Sequence, residues 1–182
     1  MKTGLDPDGV EGTILYHCVS TGLIFMKAAS VHEIKKELGS LDSPALLDLC
    51  LRLAKFKKDN KELLTYLLYE VQDEAAYVRN LKADMDEEFS MLRTTNVYYF
   101  KKSLRRILRN VNKQIRYSGV STSELELRIH FCTLFRNSGV SLENSPVLLN
   151  LYLQQLKKIN AVLTKLPGDL QFDYQQDIER LS

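Results

Sequence analysis

From Ala45 to Ser118 the chain runs for 74 residues without a glycine or a proline. Turns and strand ends lean on those two residues, so a stretch this long excludes an all-β fold and calls for helices joined by short polar links. Elsewhere glycine and proline stand where helix ends need them. Gly39 closes a short amphipathic segment opened by Ser30, with Val31, Ile34 and Leu38 on one face. Ser43-Pro44 and Ser145-Pro146 each read as a cap followed by proline at the first helical position, where its missing N–H costs nothing. Gly119, Gly139 and Pro167-Gly168 mark three further stops.

Hydrophobic spacing fills in the helices. Residues 44–57 carry Leu46, Leu47, Leu49, Cys50, Leu51, Leu53, Ala54 and Phe56, and an element apolar nearly all round is expected to be the buried central one. After a cap at Asp59 or Asn60, the apolar positions Leu64, Leu68, Val71, Ala75, Val78, Leu81, Met85, Phe89 and Leu92 step by three or four, which predicts one helix of about 30 residues. Thr94-Thr95-Asn96 is a polar joint, and helices are expected over 97–117, 123–137, 145–166 and 169–181. Residues 124–131 also alternate with the period of a strand. Their helical neighbours decide for helix. The fold class expected is all-α: a single domain of five or six helices, packed as an irregular bundle or a short HEAT-like helical array. Residues 43–51 recur at 145–153 with six of nine positions matching, and a Lys-Lys pair follows each copy. No intermediate copy exists, so the match reads as a common way to begin a buried helix rather than as two units of a solenoid.

At 182 residues and 45% hydrophobic, the chain is long and apolar enough for one domain that buries roughly 70% of its unfolded surface. No run of about 20 apolar residues exists to span a membrane, and no membrane partner is expected. Residues 1–25 hold four of the eight glycines, and Asp6, Asp8 and Glu11 precede the apolar run 14–26, where a secretory signal wants positive charge. They are expected to be an extension outside the core, with Met26 as an ordinary start and the domain covering 26–182. Cys18, Cys50 and Cys132 form neither a disulfide framework nor a zinc motif, and a reducing, cytoplasmic setting follows. His17, His32 and His130 complete no four-ligand set, and His130 reads as a packed structural histidine. Asp84, Asp86, Glu87 and Glu88 lack the glycine of a calcium loop and read as a solvated helix face. Phosphate-cradling loops, Gly-x-Ser-x-Gly turns and His-Glu-x-x-His pairs are missing. No enzyme, cofactor or metal is expected.

The net charge of +2 conceals a polarised segment: residues 101–116 hold seven cations and no anion. On a helix, Phe100, Leu104, Ile107, Leu108, Val111 and Ile115 share one face, while Lys102, Arg106, Arg109, Lys113 and Arg116 lie opposite. Residues 70–88 are strongly acidic, and an antiparallel hairpin would set Asp84–Glu88 beside the basic first turns. The far end, Arg109, Lys113 and Arg116, would stay out of their reach. The first expectation is a helical module that binds another protein or itself as a homodimer, supported by the seam from Leu64 to Leu92. The alternative is a nucleic-acid or polyanion binder using 101–116, with Tyr98 and Tyr99 as stacking surface for unpaired bases.

Overall fold

The computed structural model describes residues 27–94, 96–142 and 144–181, and every regular element among them is helical. The expectation for residues 1–25 lies outside the described residues. The chain divides into two compact units, Met1–Leu46 and Leu47–Ser182. In the first, α1 (Val31–Leu38) opens with a reciprocal cap in which Ser30 Oγ accepts from the Glu33 N–H and the Glu33 carboxylate accepts from the Ser30 N–H. α2 (Ser43–Phe56) begins at the end of this unit. Its cap is Asp42, whose Oδ1 accepts from the Ala45 N–H at 2.9 Å, so the expected Ser43 cap moves back by one residue.

The second unit contains the rest of α2, then α3 (Lys58–Thr65) and α4 (Glu74–Ser90), joined by a π turn at Tyr66–Glu70 and a 3-10 turn at Val71–Asp73. α5 (Val97–Ser118), α6 (Ser121–Asn137), α7 (Pro146–Leu163) and α8 (Gly168–Glu179) complete it. With α3 and α4 counted as one interrupted helix, the described residues hold seven helices rather than five or six, the additional one being the short α1. The interruption corrects the single long helix expected over this stretch. At Asp73 the backbone leaves the helical region (φ −132°, ψ 72°), and the Asp73 carboxylate caps α4 by accepting from the Ala76 N–H at 2.8 Å. A three-four apolar rhythm does not register such a change of direction, because it survives on both sides of the cap. Its consequence is large: Val78 and Met85 enter the core, while Leu68 and Val71 stay exposed.

The central helix is α6. It buries Leu125, Leu127, Ile129, Phe131, Cys132 and Phe135, and it packs against α4, α5 and α7. Burial on nearly every side explains the strand-like alternation of 124–131. Phe135 meets Phe100, Phe131 and Tyr152 at ring distances of 5.7–6.2 Å. Arg128 on α6, the one buried cation among the described residues, is held on several sides: Glu124 accepts from Nε at 2.8 Å, Asn112 on α5 from one terminal nitrogen at 3.0 Å, and Gln155 on α7 from the same nitrogen at 2.9 Å. α2, expected in this central place, has no buried residue at all. Apolar composition states what a helix must cover, and α6 rather than α2 finds that cover within its own unit.

Candidate functional site

α5 is fixed at both ends. Asn96 Oδ1 accepts from the N–H groups of Tyr98 and Tyr99 at 3.0 and 3.3 Å, and Gly119 closes the helix in the left-handed region (φ 66°), its N–H donating to Ile115 at 2.9 Å. Phe100, Leu104, Ile107, Val111 and Ile115 face the core, which turns the cations outward. Two of them are taken. Arg106 lies 3.5 Å from Glu88, the one pairing from the 84–88 acidic run to the basic helix, and Asp86 instead meets His130 at 2.8 Å. Lys113 lies 2.5 Å from Glu62 and 3.7 Å from Asp59. Lys113 thus meets none of the 84–88 acids; the two that reach it come from α3, which sequence spacing did not place there. Lys102, Arg105, Arg109 and Arg116 are exposed with no ion-pair partner among the described residues. Tyr98 and Tyr99 are exposed at the start of the same helix, edge to face at 5.5 Å.

Two carboxylates that sequence spacing did not single out, Glu62 on α3 and Glu74 at the start of α4, stand against the C-terminal part of α5. Glu62 takes the Lys113 ammonium, which holds its carboxyl below the usual range, and the Tyr117 hydroxyl at 3.1 Å. Glu74 is partly buried, which raises its pKa, yet hydroxyl donors Ser118, Ser123 and Tyr66 outweigh that and leave it lowered. These partners come from the π turn and from the facing ends of α5 and α6, so no local motif could announce them. A lowered folded pKa means that the unfolded chain binds protons first as pH falls. Stability contributed by Glu62 and Glu74 is therefore complete at neutral pH and lost as pH drops below about 4.5 toward their lowered values. In urea titrations over this range the wild type should weaken steeply, and Glu74→Gln should both start less stable and fall less steeply.

The second candidate surface lies on α2 and α3. Leu47, Leu51 and Phe56 on α2 and Leu67, Leu68 and Tyr69 on the π turn are each 44% exposed or more. Between the two helices Cys50, Leu53, Ala54, Leu63, Leu64 and Leu67 line an apolar depression of 240 Å³, and the Asn60 amide donates to the Leu53 carbonyl at 2.9 Å across its end. Asp48 and Lys55, opposite charges seven residues apart, border the Leu47–Leu51 edge. α7, which begins with the matching nine residues, buries Leu148 and Tyr152, the counterparts of Leu46 and Cys50, while Leu153, the counterpart of Leu51, is 50% exposed. The seam expected to mediate dimerisation thus divides: Val78 and Met85 are used by the core, and Leu68 and Val71 join the exposed apolar surface.

The chain matches no family model, no curated protein and no solved structure. What its surfaces do follows from their own residues. Among the described residues, no group of three His, Cys, Asp or Glu side chains is placed to hold a metal ion, and no helix is long and apolar enough to cross a membrane.

Proposed function

We propose that the protein is a non-enzymatic self-association module in which the apolar surface of α2 and α3 pairs with the same surface of a second copy. One observation carries this reading: ten large apolar side chains between Leu47 and Val71, five of them on α2, are each 37% exposed or more. Exposed patches of that kind mark interaction sites. The partner argued from charge is a second copy. An antiparallel neighbour sets Asp48 of each chain against Lys55 of the other, the self-complementarity that a two-fold interface demands. The setting proposed is reducing and cytoplasmic. Cys50 and Cys132 support it as free thiols, and burial pushes the Cys132 thiol up to about 12, which keeps it inert.

Light scattering over a wide concentration range tests the pairing. The wild type should rise from monomer to dimer mass, and Leu47→Glu/Leu51→Glu should stay monomeric with unchanged helical content. A wild type that stays monomeric at every concentration contradicts the proposal.

A further inference from the structure

The free cations of α5 are not scattered. At 100° per residue, Tyr98, Lys102, Arg105, Arg109 and Arg116 fall within an arc of about 60° on the outward side of the helix, with the half-buried Lys101 about 40° beyond Arg105. The two cations that acids do reach, Arg106 and Lys113, lie together on the flank toward α4 and α3. The result is a single exposed line of four cations that have no ion-pair partner among the described residues, about 21 Å long from Lys102 to Arg116, with an exposed tyrosine at its head. Like charges three and four residues apart, as at Lys102, Arg105 and Arg109, weaken a helix by a few tenths of a kcal/mol per pair. No acid is interleaved to relieve them, although the neighbouring helices carry many.

We infer that this line is a binding site for the sugar-phosphate backbone of single-stranded nucleic acid, with Tyr98 stacking on an unpaired base. A straight row of guanidinium and ammonium groups meets the repeated charges of a strand, and an aromatic face beside it accepts any base. An anionic lipid surface is the less favoured partner, because insertion needs apolar side chains flanking the cations. Asn112 flanks them instead, and Leu104, Ile107 and Val111 are buried. The site uses α5 alone and does not depend on pairing through α2.

Fluorescence anisotropy with an end-labelled single-stranded RNA of mixed sequence tests the inference, with a duplex of the same sequence and phosphatidylserine vesicles as further arms. Neutralising four phosphates on a single strand predicts a log–log salt slope of about −2.8, a loss of roughly 50-fold in affinity between about 50 and 200 mM salt. Lys102→Glu/Arg109→Glu should abolish binding. Lys157→Glu/Lys158→Glu, the same charge change on exposed residues of α7, should leave it within about twofold once screened by salt. Tyr98→Ala should weaken single-strand binding about tenfold. Equal losses in both charge variants, tighter binding to duplex than to single strand, binding to vesicles alone, or no binding at low salt would each overturn the assignment.

Discussion

Replacing Arg128 by alanine should destabilise the fold by about 3 kcal/mol, a shift on the order of 10 °C in Tm for a chain of this length. The guanidinium is 6% exposed and serves Glu124, Asn112 and Gln155 at once. Its loss strands the Gln155 amide oxygen, on a residue 2% exposed, among apolar neighbours. Leaving such a group unpaired costs about 1–3 kcal/mol, and the truncated side chain adds a void. Arg128→Lys should recover little, because an ammonium cannot reach three acceptors in the directions a planar fork does. Arg128→Met combined with Gln155→Leu should be less damaging than the two single changes summed, since that pair removes donor and acceptor together. Thermal or urea unfolding of the five variants, the two single changes included, measures this. An alanine variant within 0.5 kcal/mol of wild type, the range of about an ordinary surface change, would remove Arg128 from the core network.

The matched segments of α2 and α7 supply the second large effect. Leu148 is 1% exposed, so Leu148→Ala should cost about 3 kcal/mol through lost transfer free energy and the cavity left behind. Leu51, 44% exposed on α2 and matched in sequence by the similarly exposed Leu153 rather than by Leu148, should tolerate alanine within about 0.5 kcal/mol when unfolding is followed at monomeric concentration. Similar costs at both positions would mean that α2 is packed within its own chain.

That pair of residues also shows where sequence reading succeeds and where it stops. Ends were legible: Ser30, Asn96 and Gly119 act through bonds to residues at most four positions away, and each closes or opens the helix its spacing implied. The outward turn of the α5 cations was legible too, because an amphipathic helix has one face to bury. Burial of whole helices was not. Ser-Pro followed by leucines reads the same at 43–51 and 145–153, yet only α7 has α6 beside it. The Asp73 break was hidden by an apolar rhythm that continues through it, and with it went the placement of Glu62 against Lys113. Glu74 draws its hydroxyl partners from 8 to 49 residues away, and Arg128, beside its i−4 neighbour Glu124, draws Asn112 and Gln155 from 16 and 27 residues away, beyond any periodicity.

Hydrogen–deuterium exchange, read at low and high protein concentration, tests most directly whether α2 and α3 form a surface that only a second copy covers. The amides of α6, enclosed by α4, α5 and α7, should be protected equally at both concentrations. Those of α2 and α3 should exchange quickly in dilute solution and slow markedly in concentrated solution, with Leu47→Glu/Leu51→Glu abolishing the difference. Protection of α2 that is strong already in dilute solution, or that does not change with concentration, would contradict the account.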